Sequence, residues 1–197
     1  MDISSVIDRL FDESDRIVRT EDFVSAGISR TTLGSLVESG KLDRIAHGRY
    51  ILPDTIPDEL YLLQQRSEKI IFSHETALFL HDMAERTPNR HSLTIPSSCK
   101  LSPVLAKGCK VYYVKPDLYE LGKCRIMSKM GHEITAYDTE RTLCDILRSR
   151  SRIDSQTFAA VIRNYIDADD QDWNKLRSYA EVFHVTKLLR QYLEVLL

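Results

Sequence analysis

The stretch Thr20–Leu52, TEDFVSAGISRTTLGSLVESGKLDRIAHGRYIL, decides the reading of this chain. Thr20 is placed to cap a helix, with Glu21 and Asp22 at the positive end of its dipole. Phe23, Val24 and Ala26 supply its buried side, and Gly27 stops it. Ser29 then opens a second helix, its hydroxyl able to accept from the Thr31 or Thr32 N–H. Ile28 and Leu33 stand where a hydrophobic staple would form. Leu33, Leu36 and Val37 make the buried stripe, and Gly40 ends the helix. After Lys41, the run Leu42–Ala46 suits a strand, His47-Gly48 a turn, and Arg49–Leu52 the returning strand. Pro53, with no N–H to give, closes the pairing.

Helix, tight turn, helix and hairpin follow one another in the order of a winged helix-turn-helix. Upstream, Ile3, Val6, Ile7, Leu10 and Phe11 fall on one helical face, with Asp2 as the N-cap. In such a module the second helix of the pair offers its N-terminal residues to a DNA groove. Its outward positions here are Ser29, Arg30, Thr31, Thr32 and Ser35. Arg30 suits a bidentate contact to guanine or a clamp on a phosphate. The hydroxyls of Ser29, Thr31 and Thr32 suit phosphates. Lys41, Arg44, His47 and Arg49 place positive charge on and beside the wing, where they meet the backbone or the minor groove.

The remaining chain reads as a second α+β domain. Asp54–Pro57 is a linker, so the domains are expected at 1–53 and 58–197. A helix from about Asp58 to Ser67 precedes short strands at Ile70–Phe72, Ser92–Pro96, Cys109–Val114, Arg125–Met127 and Glu133–Tyr137. These make a small, mostly antiparallel sheet. From Asp138 onward the pattern is helical.

With 197 residues, 43% hydrophobic and 28% charged, the chain is long and apolar enough for a buried core. No run approaches the roughly 20 apolar residues of a membrane span. Asp2, Asp8, Asp12 and Glu13 interrupt any apolar leader. Cys99, Cys109, Cys124 and Cys144 form no CxxC pair and lack histidines at metal-binding intervals, the usage of reduced packing thiols in a cytosolic protein.

The net charge of −2 says nothing about a polyanionic partner, but its distribution does. Arg90, Lys100, Lys107, Lys110, Lys115, Lys123, Arg125 and Lys129 are opposed within their segment only by Asp117 and Glu120. They form either a second surface for an anionic partner or scattered lysines on the solvent face of a sheet.

Catalytic constellations are missing: no P-loop, no GxGxxG, no HExxH, no GxSxG. His74-Glu75 and His81-Asp82 lie on one expected helix, and the two histidines, seven apart, share a face; that allows a metal or acid–base site, but a polar core contact and a helix end are the more usual reading. Arg141 and Asp145 are spaced for a helical ion pair. Asp167, Asp169, Asp170 and Asp172 lack the glycine and terminal glutamate of a calcium loop. No enzyme activity, cofactor or metal is expected. The alternatives are a nuclease or transferase using His74, Glu75 and Asp145, and a protein-docking adaptor.

The wing phrase Leu42-Asp43-Arg44-Ile45-Ala46-His47-Gly48-Arg49-Tyr50 resembles that of the AbiEi-type antitoxins of abortive-infection and type IV toxin–antitoxin systems. Phe72-Ser73-His74-Glu75-Thr76-Ala77-Leu78, Ser92-Leu93-Thr94-Ile95-Pro96 and Tyr137-Asp138-Thr139-Glu140-Arg141-Thr142-Leu143-Cys144-Asp145 follow in the same order as in that family. The resemblance implies a cytoplasmic phage-defence protein with two roles. Its winged helix would bind inverted repeats in its own promoter and repress the operon; the oligomeric state is left open, a monomer in solution with two copies on the operator being one arrangement. Its C-terminal domain would counter a nucleotidyltransferase-like toxin without a stable complex. The remaining alternative is a winged-helix regulator that is not an antitoxin.

Overall fold

Asp2 Oδ1 accepts the Ser4 N–H at 3.3 Å and starts the first helix, α1 (Ile3–Glu13). The computed structural model describes residues 2–14, 16–84, 86–153 and 155–196, with the backbone alone at 155–157 and 195–196. It divides into two compact units, Met1–Glu59 and Leu60–Leu197. In the first, α1 is followed by β1 (Val18–Arg19), α2 (Thr20–Ser25), α3 (Arg30–Glu38), β2 (Asp43–Ala46) and β3 (Arg49–Ile51).

The core of this unit forms where the apolar stripes converge. Val6, Ile7 and Phe11 of α1 pack with Phe23, Ile28, Leu33, Leu36, Leu42 and Tyr50. Phe23 meets Phe11 and Tyr50 edge-on, at ring-centroid distances of 6.1 and 5.7 Å. That geometry suits the quadrupoles of the rings. Two expectations change. Val24 is exposed, leaving Phe23 as the fully buried side chain of α2. Thr20 is the first helical residue rather than the cap: the cap position is Arg19, whose N–H donates to Asp22 Oδ2 at 2.9 Å.

The wing is a three-stranded sheet in the order β1-β3-β2, not a bare hairpin. The two residues of β1 pair antiparallel with β3, Val18 opposite Tyr50 and Arg19 opposite Arg49. Val18 is wholly buried and Arg19 exposed, the alternation a half-buried strand requires.

In the second unit, α4 (Glu59–Gln65) leads to β4 (Ile71–Phe72), α5 (His74–Leu80), β5 (His91–Pro96), α6 (Pro103–Ala106) and β6 (Cys109–Val114). Then come α7 (Pro116–Tyr119), β7 (Lys123–Met127), β8 (Glu133–Tyr137), α8 (Thr139–Arg148), α9 (Ser155–Asp167), α10 (Trp173–Val182) and α11 (Thr186–Leu196). The mixed α+β architecture and the helical C-terminal half are as read from the sequence.

The sheet, in order β6-β5-β4-β8-β7, is mixed rather than mostly antiparallel. β4 pairs antiparallel with β5, and β7 with β8, but β5·β6 and β4·β8 are parallel. The connection from β5 to β6 carries α6 and is long enough for the crossover a parallel pair needs. Period-two alternation is the same for either direction, so the sequence could not tell them apart. Phe72, Leu93, Ile95, Ile134 and Ala136 line the sheet side of the core. Leu78, Leu143, Leu147, Val161, Leu176 and Phe183 join the helices.

Candidate nucleic-acid interface

The start of α3 is fixed by Ser29. Its Oγ accepts the Thr32 N–H at 3.1 Å and lies 2.8 Å from Thr32 Oγ1. Ile28 and Leu33 are both buried, so the staple positions anchor this end from beneath. Leu33 and Leu36 bury the inner face, leaving Arg30, Thr31 and Ser35 exposed and Thr32 half-buried. Ser35 donates from Oγ to the Thr31 carbonyl at 3.4 Å.

The wing presents its cations by a local irregularity. Arg44 pairs with Tyr50 while Ala46 pairs with Arg49, so Ile45 is an extra residue in β2. A bulge of this kind twists a strand and re-aims its side chains. Arg44 Nε lies 3.4 Å from the Ala46 carbonyl and its Nη2 3.2 Å from His47 Nδ1. Arg44 and His47 therefore meet at the exposed tip. Lys41 is exposed just ahead of β2.

Between α3 and the wing lies a cleft of about 440 Å³, lined by Arg19, Thr20, Glu21, Arg30, Arg44, His47, Gly48, Arg49 and Tyr50. It gathers Arg30, Arg44, His47 and Arg49 from elements that are apart in the sequence. Ser29, Thr31, Thr32, Ser35 and Lys41 belong to the same unit but do not line it. Clustered guanidinium groups in a concavity focus a positive field on whatever enters. Such groups suit phosphate oxygens, which accept paired N–H donors from the planar fork. Sequence reading missed Arg19, Thr20 and Glu21. The only signal for them was the apolar Ile17-Val18 pair ahead of Thr20, too short to register as a strand.

The basic segment of the second unit is not gathered in this way. Lys107 and Lys110 lie at or beside β6 on one sheet edge, Lys123 and Arg125 on β7 at the other. Five strands at the usual spacing separate those edges by roughly 19 Å. Several of these cations have local partners. Arg90 Nη2 donates to the Cys109 carbonyl at 2.6 Å, and Lys110 pairs with Glu75 at 2.6 Å. Lys123 pairs with Glu120 at 3.0 Å, Arg125 with Glu133 at 2.8 Å, and Lys129 with Asp82. Lys100, Lys107 and Lys115 are exposed.

His74, Glu75 and His81 each have partners within the second unit. His74 is buried, stacked on Tyr112 at 3.5 Å between centroids, with Nδ1 3.0 Å from Ser73 Oγ and Nε2 3.1 Å from Ser149 Oγ. Burial pushes its pKa down to about 4, against the raising influence of Asp145. For Glu75, burial acts upward, but bonds from Lys110 and Ser92 outweigh it and its pKa is lowered. His81 is at the end of α5, its Nε2 2.8 Å from the Tyr137 carbonyl.

Arg141 Nε donates to Asp145 Oδ2 at 3.0 Å, both side chains buried. The Arg141 Nη1 donates to the Leu118 and Leu121 carbonyls, and the guanidinium lies over Tyr137 and Phe183. Asp172 caps α10 by accepting the Lys175 N–H at 2.9 Å, while Asp167, Asp169 and Asp170 are exposed. No group of three or more His, Cys, Asp or Glu side chains is arranged to hold a metal among the described residues. The four cysteines are unbridged. Among the described residues no helix is long and apolar enough to cross a membrane.

A family of transcriptional regulators, the AbiEi antitoxins, has a model that matches residues 5–53. The match lies within the first unit and agrees there with the resemblance read from the wing phrase. No curated protein matches the chain. The crystal structure of the RV2827C protein from Mycobacterium tuberculosis is similar in fold. It has a TM-score of 0.63 at 17% identity, over 90% of this chain and 70% of that one. At that identity the likeness speaks for the fold alone.

Proposed function

We propose that the protein is a DNA-binding autorepressor whose second unit acts as an antitoxin. One observation carries the DNA-binding half: Arg30 of α3 and Arg44, His47 and Arg49 of the wing line a single cleft. A recognition helix in the major groove brings its first residues to base edges while the wing meets the neighbouring backbone. Arg30 is placed for a base or a phosphate, and Lys41, Arg44 and Arg49 for phosphates. Ser29, Thr31, Thr32 and Ser35 add hydroxyl donors along the helix. Inverted repeats in the promoter would be occupied by two copies, one on each half-site. The antitoxin half rests on the matched family and on the phrases around Ser73-His74 and Arg141-Thr142-Leu143. In this reading residues 58–197 counter a nucleotidyltransferase-like toxin in the cytoplasm without a lasting complex.

Footprinting the full chain on the DNA upstream of its own start codon tests the first half. Protection of repeated half-sites is the expected result, and retention of no upstream DNA at low salt overturns it. Co-expression with a nucleotidyltransferase encoded next to it tests the second. Rescue of growth by the full chain is expected, and growth arrest despite a soluble, folded protein overturns it.

A further inference from the structure

Arg19 and Arg49 are direct partners across the β1·β3 pairing. Residues opposed in this way put their Cβ atoms about 4.5–5.5 Å apart on the same face of the sheet. Both side chains line the cleft that also holds Arg30 and Arg44. Two guanidinium groups facing each other in this way suit an anion seated between them, which accepts from both. The position is held from below: Val18, the neighbour of Arg19, is wholly buried opposite Tyr50. It is held from the side as well, since the Thr20 N–H donates to the Gly48 carbonyl at 2.9 Å. The two guanidinium groups are therefore carried on a braced frame rather than on a loop.

We propose that Arg19 and Arg49 together seat one backbone phosphate of the DNA duplex, making β1 a third contacting element beside α3 and the wing. This rests on the DNA-binding reading above and adds a residue and a place to it. The place follows from geometry. The strand backbone that separates a major groove from the next minor groove runs between a groove-bound helix and its wing. The cleft is lined from those same elements, Arg30 of α3 and Arg44 of β2 among them, with Glu21 beside them. A phosphodiester offers two non-bridging oxygens, one for each fork of a facing arginine pair. Being a backbone contact, the seat adds affinity without sequence preference.

The test uses the full chain and fluorescence anisotropy with two duplexes, one from upstream of the start codon and one scrambled, across a salt series. Arg19→Gln should weaken both duplexes alike, roughly five- to tenfold at 0.1 M salt, and lower the log–log salt slope by about one. Arg49→Gln should do the same, and the double variant should lose less than the product of the two single losses, since both act on one phosphate. Wild-type affinity and slope in a folded Arg19→Gln overturn the proposal. If Arg19→Gln does not fold, Arg19→Lys carries the same test with the same two outcomes, since it keeps a charge but loses the fork that would share the phosphate with Arg49. Wild-type protein that binds neither duplex removes the DNA reading itself, a result separate from normal DNA binding by the variants. A second arm titrates inorganic phosphate and a nucleoside triphosphate at constant ionic strength. Saturable binding of these that is lost in Arg19→Gln, with duplex binding unchanged, assigns the seat to soluble phosphates and overturns the proposal.

Discussion

The backbone N–H of Thr20 donates to the carbonyl oxygen of Gly48 at 2.9 Å, fastening the turn of the wing to the first turn of α2. The wing is thereby part of the frame that holds β1, and the cleft between wing and α3 is built before any ligand arrives. A preformed site spends less of its binding energy on ordering its own side chains.

Gly48 is the weak point of that frame. Its φ is +66°, and a Cβ there would stand 3.2 Å from Thr20 Oγ1. Alanine strains the backbone and crowds the fastening, at a cost of about 1–2 kcal/mol. Gly48→Ala should lower the melting temperature of the first unit and weaken binding to every duplex tested. A melt and affinity equal to wild type would show that the fastening does not matter.

Arg30 and the wing arginines should separate by sequence dependence. Arg30→Ala should cost about 1–3 kcal/mol of binding and relax the preference at one base position. Arg44→Ala should weaken all duplexes equally and flatten the salt dependence. Binding to a panel of half-site variants at two salt concentrations distinguishes them. Equal losses on every sequence for Arg30→Ala would make it a phosphate contact instead.

Much of the first unit was legible because each element carries its own punctuation. Ser29 caps α3, and Gly27, Gly40 and Gly48 sit where the φ values are +88°, +68° and +66°. Arg19 was not legible, because a two-residue strand has no period to read and its place in the cleft comes from pairing with β3. In the second unit the Arg141–Asp145 pair was visible from its spacing of one helical turn. The contacts of His74 with Tyr112 and Ser149 were not, since they join residues 38 and 75 positions away. The basic segment shows the converse: cations close along the chain were carried to opposite edges of the sheet.

The Arg141–Asp145 pair makes a stability prediction. Both side chains are nearly inaccessible, with 1% and 5% of their surface exposed. Removing one partner leaves a buried guanidinium without its countercharge, which costs about 3–5 kcal/mol. Asp145→Ala should therefore unfold the second unit far more readily, and Gly122→Ala should act on the same contact. A Cβ at Gly122 would fall 2.5 Å from Arg141 Cβ, at a φ of +77°. Chemical denaturation monitored by circular dichroism reads both. A midpoint unchanged in either variant contradicts the packing described.

His74 makes a pH prediction whose sign follows from its burial. Its folded pKa of about 4 lies below the unfolded value of 6.5, so the unfolded chain binds more protons between them. The contribution of neutral His74 is fully present above pH 6.5 and is lost as the pH falls toward 4. The loss across that window is about 3 kcal/mol. The melting temperature of the second unit should fall from pH 7 to pH 4.5, and His74→Gln should flatten that slope while lowering the plateau at pH 7. Glu75, whose pKa is lowered by Lys110 and Ser92, destabilises only at more acid pH and does not mimic this window. An unaltered slope in the His74→Gln variant would place the proton uptake elsewhere.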